Sequence, residues 1–377
     1  MGTKKNGLEL YLHIPFCIKK CDYCDFLSGP ATRAGQEAYI YALLREMKAV
    51  SAIEKRTVDT VFIGGGTPSV PECGIMEKLL QGIGKNFQLA ADAEVTIEAN
   101  PGTLTPEKLA LYRRYGINRI SIGLQSPENQ ELRALGRIHN YQQFLESYHM
   151  AREAGFSNIN IDLMFAIPGQ SYEGWIQNLR TVAKLGPEHI SAYSLIIEEG
   201  TPFSARKLDL PDEDTEYRMY EDVAAVLGKY GYYQYEISNY AKKDRNCRHN
   251  EGYWQRKDYL GLGLGAASLV GRERFTNTSD MSEYLENSGN LEKIRTDRET
   301  LTREDEMGEF MFLGLRMTKG VSKKDFQEYF GTSIEKIYGE VLEKYKKQGL
   351  LLEEDGRVCL SRAGIHVSNA VMADFLL

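Results

Sequence analysis

The sequence predicts an α/β fold, with a parallel sheet in residues 1–212 followed by smaller and mostly helical regions. Short apolar runs alternate with helical segments through the first two hundred residues. The apolar runs are nearly continuous, which is typical of strands buried on both faces of a parallel sheet. After residue 212 the alternation stops, and residues 300–377 combine helical segments with one hairpin.

Six candidate strands are rich in Val, Ile, Leu and Tyr. They are residues 8–14, 58–63, 93–99, 118–124, 159–165 and 190–197. The helical segments between them are residues 36–53, 105–115, 140–154 and 171–185. The last three stop at or just before a glycine, a common helix stop. Repeated strand–helix units predict right-handed crossovers and a parallel sheet that is either open or curled into an incomplete barrel.

The rest of the chain predicts two further regions, residues 213–299 and 300–377. The first holds a helix over residues 213–229 and the motif His249-Asn250-x-x-Tyr253-Trp254 in an aromatic stretch. The second is predicted to be winged-helix-like. Its elements are helices over residues 303–317, 323–330 and 333–348 and hairpin strands over residues 350–352 and 357–360.

Charge and hydropathy exclude several function classes. The 377 residues carry a net charge of -7, and residues 300–377 hold 11 basic against 13 acidic side chains. Neither value favours binding to nucleic acid, even though winged helices often bind DNA. The sequence has no run of apolar residues long enough to span a membrane. Residues 1–6 are too short and polar for a secretory signal, so we expect a cytoplasmic protein.

Three of the six cysteines, Cys17, Cys21 and Cys24, lie within eight residues directly after the first candidate strand. Thiols in the cytoplasm stay reduced, so such a cluster indicates metal chemistry rather than disulfides. Structural zinc prefers four ligands, usually in paired motifs, and a second pair is absent from this sequence. Three thiolates on one loop instead suit a [4Fe–4S] cluster whose fourth iron stays open to a small ligand. The alternative is a chance grouping of structural cysteines.

Polar residues or glycines follow every candidate strand. Glycines 64–66 follow the second. Glu98 and Gln125 come at the ends of the third and fourth, and Asp162 lies inside the fifth, each in otherwise apolar sequence. Because ligands bind beyond the carboxyl ends of parallel strands, we expect these side chains at one site.

With these residues in view, the three-cysteine loop resembles the signature of the radical S-adenosylmethionine (SAM) superfamily. The run Tyr11-Leu12-His13-Ile14-Pro15-Phe16-Cys17 resembles the oxygen-independent coproporphyrinogen III oxidase family. The segment 17–26 and the motif at residues 249–254 are similar to those of the heme chaperones within that family. The resemblance implies a partial (β/α)6 TIM-like barrel, a [4Fe–4S] cluster on the three cysteines, SAM and heme.

The resemblance also implies roles for individual residues. Those similar to SAM-binding positions are Tyr11, Tyr23, Gly65, Gly66, Thr67, Glu98, Gln125, Arg137, Asp162 and Ile196. For Arg137 the alternative is a surface cation, and Ile196 reads as a core residue in any case. His249 is the candidate heme ligand, with Cys247 as a weaker one. The alternative for His249 is a hydrogen-bonded residue that ties the second region to the barrel.

The sequence differs from the oxidases of this family in two features that bear on function. The oxidases of the family carry a fourth cysteine two residues after the third, where this chain has Phe26, and they have a longer N-terminal arm. We therefore expect a heme carrier that delivers heme to an acceptor hemoprotein, with an electron donor such as flavodoxin as a further partner. The alternatives are a porphyrin-biosynthetic coproporphyrinogen III oxidase and another radical SAM reaction.

Overall fold

A computed structural model of the chain describes residues 7–376. Residues 1–6, on which the absence of a secretory signal was argued, lie outside the described residues, as does Leu377.

The predicted α/β fold is confirmed. Six parallel strands lie side by side in chain order, β1 (Leu8–Ile14), β2 (Val58–Gly65), β3 (Leu89–Ala99), β4 (Arg119–Gln125), β5 (Ile159–Phe165) and β6 (His189–Ser194). Residues from all six strands line one common cavity, so the sheet curls into a partial barrel. The sixth strand ends at Ser194, earlier than predicted, which leaves Ile196 66% exposed and not in the core.

Helices connect these strands and cover the outer face of the sheet. They are α1 (Arg33–Ile53), α2 (Cys73–Asn86), α3 (Pro106–Arg114), α4 (Asn129–Ala134), α5 (Tyr141–Glu153) and α6 (Tyr172–Leu185). Helix α2 was not predicted, because Gly74, Gly82 and Gly84 lower the helix propensity of this segment. Its buried face of Ile, Met and Leu side chains nevertheless packs on the sheet core, which shows that burial outweighs propensity here.

Six further strands, which were not predicted, extend both edges of the sheet. They are β7 (Tyr233–Glu236), β8 (Asn239–Ala241), β9 (Tyr259–Leu262), β10 (Ala267–Val270), β11 (Glu273–Asn277) and β12 (Arg295–Thr300). The complete order is β12-β11-β10-β9-β1-β2-β3-β4-β5-β6-β8-β7. Strand β9 runs parallel to β1 and thereby brings the middle of the chain beside the first strand.

The middle region also contributes the helices α7 (Glu213–Gly228), α8 (Arg248–Trp254), α9 (Met281–Asn287) and α10 (Leu291–Ile294). Helix α8 closes the floor of the barrel. A Cβ atom on Gly252 would lie 1.8 Å from Oε1 of the buried Glu9 on β1, so the Glu9 carboxyl occupies the space that a side chain at position 252 would need.

The C-terminal region has its own apolar core. Its elements are α11 (Arg303–Gly314), β13 (Val321–Ser322), α12 (Lys323–Phe330), α13 (Ile334–Lys347), β14 (Leu351–Glu354), β15 (Arg357–Leu360), α14 (Arg362–His366) and α15 (Ser368–Ala373). The predicted hairpin is present as β14 and β15, with β13 as a third antiparallel strand. Within residues 7–376, none of the helices is both long and apolar enough to cross a membrane.

Candidate cofactor site

The loop after β1 carries Cys17, Cys21 and Cys24, and all three side chains are partly exposed. Burial raises the pKa of the Cys24 thiol, and the thiols of Cys21 and Cys17 are close enough to raise it further. No group of three or more His, Cys, Asp and Glu between residues 7 and 376 is arranged around a single metal ion. The three thiols are also fewer than the four ligands that structural zinc prefers, whereas a cubane cluster spreads its thiolates over separate irons.

The glycine loop after β2 packs directly against this cysteine loop. The Gly66 N–H donates to the Ile14 carbonyl at 2.9 Å, and the Thr67 N–H donates to the Phe16 carbonyl at 2.7 Å. A Cβ atom on Gly66 would lie 2.8 Å from the Phe16 carbonyl oxygen, so glycine is needed for this contact. The Thr67 hydroxyl reaches Sγ of Cys17 at 3.6 Å.

A chain of hydrogen bonds continues from Thr67 to the second cysteine. The Asn100 side-chain amide donates to Oγ1 of Thr67 at 2.7 Å, and Nη2 of Arg137 donates to Oδ1 of Asn100 at 2.7 Å. Nη1 of Arg137 lies 3.4 Å from Sγ of Cys21. Arg137 is therefore an inner residue of the site and not a surface cation, and its fixed charge faces a thiol that a cluster would hold as a thiolate.

The barrel interior contains a cavity of about 430 Å³ beside the cysteine loop. Side chains from β1 to β6 and the glycine run before β10 line it, among them Tyr11, Gly65, Glu98 and Asp162. Asp162 accepts hydrogen bonds from the Ser121 hydroxyl at 3.0 Å and the Asn160 amide at 2.8 Å. The structure thus brings together four of the predicted residues in one cavity.

Glu98 has the most perturbed carboxyl group in this cavity. Burial raises the pKa of Glu98 to about 8, and the neighbouring Asp162 carboxylate adds to the shift. The Gly65 N–H donates to Oε2 of Glu98 at 3.1 Å and partly offsets it. Glu98 is therefore largely protonated at neutral pH, and a cation placed in the cavity would favour its ionised form.

Tyr11 and His13 connect the cavity to the cysteine loop. Nε2 of His13 lies 2.8 Å from the Leu27 carbonyl oxygen, which can only accept, so this nitrogen is the donor. Nδ1 is then the acceptor for the Tyr11 hydroxyl at 3.0 Å. The pair therefore holds the end of the cysteine loop against the barrel.

The remaining predicted residues, Gln125, Tyr23 and Ile196, do not line the cavity. Gln125 adopts a left-handed backbone conformation (φ 70°), and its amide lies near Gly123, beside Arg137. Tyr23 packs against Phe203 with ring centroids 6.4 Å apart, and its hydroxyl lies beside Arg137 and the thiols of Cys21 and Cys24. Ile196 is exposed beyond the end of β6, as noted above.

A second cavity, which we call the aromatic chamber, adjoins the first. It has a volume of about 450 Å³, and Tyr11, Phe62 and Asn250 line both cavities. Its other lining residues include His249, Tyr253, Trp254, Arg256, Tyr259, Leu269 and Phe312. Most of the wall is therefore apolar or aromatic and suits a planar ligand.

His249 lies on α8 in the floor of the barrel and is 1% exposed. Its Nδ1 is hydrogen-bonded to the Thr60 hydroxyl at 2.7 Å and its Nε2 to the Tyr253 hydroxyl at 3.0 Å. Burial lowers the pKa of His249 to about 3, so the ring stays neutral. Both ring nitrogens are thus engaged, as in the alternative in which His249 ties the second region to the barrel. Cys247 is fully buried, with its Sγ 3.7 Å from Oε1 of Glu94.

Asn100 and Arg119 belong to the site but were not predicted. Asn100 joins Thr67 to Arg137, and Arg119 is a buried cation that lines the cavity beside Asp162. A charged residue at the start of an otherwise apolar strand is the signal that could have identified Arg119.

Two family profiles match the chain: the Radical SAM superfamily over residues 11–182 and the HemN C-terminal domain over residues 301–367. The chain is 37% identical over 372 residues to the heme chaperone HemW of Bacillus subtilis (strain 168), covering 97% of this chain and 98% of that protein. It is 38% identical over 363 residues to the heme chaperone HemW of Escherichia coli (strain K12), covering 93% of each.

Among solved structures, coproporphyrinogen III oxidase (HemN) from Escherichia coli, a radical SAM enzyme, is similar with a TM-score of 0.88. The likeness covers 99% of this chain and 91% of that chain at 23% sequence identity. At this identity the likeness establishes the fold.

Proposed function

We propose that this chain, which belongs to the radical SAM superfamily and within it to the family of the heme chaperone HemW, binds heme and passes it to an acceptor hemoprotein. The observation that carries the proposal is the match to two heme chaperones over almost their whole length. The aromatic chamber supports it, because its apolar and aromatic wall is suited to a porphyrin ring.

The cofactors of the superfamily are a [4Fe–4S] cluster and SAM, and the site fits both. Cys17, Cys21 and Cys24 would hold the cluster, and the thiolates would be oriented by Thr67 and Arg137. The cavity lined by Tyr11, Gly65, Glu98 and Asp162 would take SAM beside it, with Tyr23 and Gln125 next to Arg137 and Ile196 exposed beyond β6. When bound, the cluster supplies one-electron chemistry at the open iron.

The role of this chain's own residues is to bind and orient these groups. Gly66 lets the glycine loop approach the cysteine loop, and the His13 imidazole holds the loop from the other side. Glu98 can release a proton when a sulfonium cation enters the cavity, because the cation stabilises the carboxylate.

We retain His249 as the proposed heme-site residue. Ligation of heme iron by Nε2 would require Tyr253 to leave its hydrogen bond with that nitrogen. The alternative is a positioning role, in which His249 holds α8 and so shapes the chamber.

Heme transfer is favoured over porphyrinogen decarboxylation because Phe26 occupies the position of the fourth cysteine of the oxidases. Phe26 is 59% exposed and lines the mouth of the SAM cavity with Leu27. We further propose that the protein acts in the cytoplasm and accepts electrons from a flavodoxin-like donor.

The test is a heme titration followed by absorbance, together with an anaerobic assay on coproporphyrinogen III. We expect a saturable heme spectrum, transfer of heme to an apo-hemoprotein such as apomyoglobin, and no decarboxylated product. Decarboxylation by the cluster-loaded protein would favour the oxidase, and failure to bind heme would refute the carrier.

A further inference from the structure

A further cavity lies between the floor of the barrel and the C-terminal region. Its volume is about 570 Å³, which is in the range of small-molecule sites. The connection from α8 to β9 forms one wall, while α11, α12, β13 and β15 form the others. Its apolar surface comes from Trp254, Phe310, Met317, Val321 and Tyr329. We call this cavity the cationic cleft.

More cationic than acidic side chains line the cleft. Its lining includes five cationic side chains and two carboxylates: Arg56, Arg256, Lys257, Lys319, Arg357, Asp258 and Asp325. The full chain, in contrast, carries a net charge of -7. Arg56 is paired with Glu54 and Asp258, and Arg256 with Glu306 and Glu309, so Lys257, Lys319 and Arg357 are the cations that favour an anionic ligand at this position.

The wall between the cleft and the aromatic chamber contains hydrogen-bond donors without acceptors. Arg256 and Trp254 line both cavities. The Arg256 side chain is 3% exposed and binds Glu309 at 2.8 Å and Glu306 at 3.1 Å through Nε and Nη1. Its Nη2 is buried with no partner among residues 7–376, and the same holds for Nε1 of Trp254. Buried donors are rarely left unpaired, and a ligand acceptor would reach these two groups once their side chains turn toward one of the cavities.

Two lysines of the cleft are only loosely paired. Nζ of Lys257 lies 3.9 Å from Oε1 of Glu9, and Nζ of Lys319 lies 3.9 Å from Oε1 of Glu251. Both distances are too long for a hydrogen bond. Burial also raises the pKa of Glu9, which weakens the pairing of this carboxyl with Lys257.

We propose that the cationic cleft binds the carboxylates of the heme whose ring occupies the aromatic chamber. Arg256 and Trp254 are the buried donors, and Lys257 and Lys319 are the partly exposed counter-charges. The inference rests on the proposed heme-carrier function and deepens it, because it names what the protein recognises besides the ring. It also orients the propionate edge of the heme toward the C-terminal region.

The experiment compares heme with heme dimethyl ester, which keeps the ring and iron but lacks the two negative charges. Both are titrated by absorbance into the wild-type protein, into Lys257→Met/Lys319→Met, and into the control Lys324→Met/Lys336→Met. The control removes the same charge from two exposed lysines on α12 and α13 that do not line the cleft. Iron and sulfide content verifies that each variant is folded and loaded.

We expect the wild-type protein and the control to bind heme at least about tenfold more tightly than its ester, because hydrogen bonds to charged groups are strong. The Lys257→Met/Lys319→Met variant should lose about fivefold in heme affinity with little change for the ester. Equal affinity of the wild-type protein for heme and ester would overturn carboxylate recognition while leaving the carrier function intact. A wild-type protein that binds neither molecule would instead refute the proposed function, and this inference with it.

Discussion

The contact between the glycine loop and the cysteine loop can be tested by a single methyl group. In Gly66→Ala the new Cβ would lie 2.8 Å from the Phe16 carbonyl oxygen and 3.0 Å from its carbonyl carbon and nitrogen. These atoms are backbone, so the clash cannot be relieved by rotating a side chain. The two loops must therefore separate.

The expected cost has two parts. Overpacking of this kind costs roughly 1–3 kcal/mol. Separation also lengthens the hydrogen bonds from Thr67 to Phe16 and to Cys17, and a lost hydrogen bond costs about 1 kcal/mol. If about 2 kcal/mol of this free-energy cost destabilises the SAM-bound protein relative to the free protein, SAM affinity should decrease about thirtyfold.

The assay measures iron and sulfide per chain after anaerobic reconstitution and then the affinity for SAM by calorimetry. Gly74→Ala is the matched control, since a Cβ atom at Gly74 on α2 has no heavy atom within 4 Å outside its own helix and chain neighbours. It should load normally. If Gly66→Ala matched this control in both measurements, the contact would not be needed to form the site.

Three further perturbations probe other parts of the site. SAM affinity should rise by up to about tenfold per pH unit between pH 6 and 8 and then level off, because the SAM-free protein must release the proton held by Glu98, whose raised pKa is about 8. Glu98→Gln should remove this slope in calorimetric titrations, and a persisting slope would assign it to another group. Arg137→Met should lower the free energy of unfolding by roughly 2–4 kcal/mol, because it breaks charged hydrogen bonds to Asn100 and the Gly123 carbonyl. Its iron content should also decrease, and normal stability and loading would show that Arg137 is dispensable. His249→Ala should weaken heme retention with the cluster intact, and unchanged heme loading would refute its assignment to the heme site. Tyr253→Phe frees Nε2 of His249 and should preserve heme binding if that nitrogen is the ligand, whereas a loss as large as that of His249→Ala would favour the positioning role.

The parts of this protein that could be predicted from sequence are those encoded by neighbouring residues. The six central strands are continuous apolar runs, and the cysteine loop is recognised from three cysteines spaced within one short segment. Helix α2 was not predicted, because its three glycines lower the helix propensity of the segment. The helix forms because its apolar face is buried. The predicted end of the sixth strand was wrong for a related reason, since apolar composition continued past Ser194 although strand pairing did not.

What could not be predicted depends on residues distant in the chain. The contact of Arg137 with Cys21 joins positions 116 residues apart, and its acceptor Asn100 comes from a third segment. The pairing of β9 with β1 likewise has no local signal, because strands that short are specified by the neighbours against which they pack. Polar residues at strand ends indicated the site, but only the curvature of the sheet decides which of them meet.

Helix α8 links the two halves of the proposed heme site. One face enters the barrel floor through His249, and the C-terminal end carries Trp254 and leads to Arg256 at the cleft. Arg256 in turn binds Glu306 and Glu309 of α11 with all three side chains nearly buried. Breaking a buried ion pair is costly, so a shift of α11 would move the wall shared by both cavities. The C-terminal region therefore fixes part of this wall through Glu306 and Glu309.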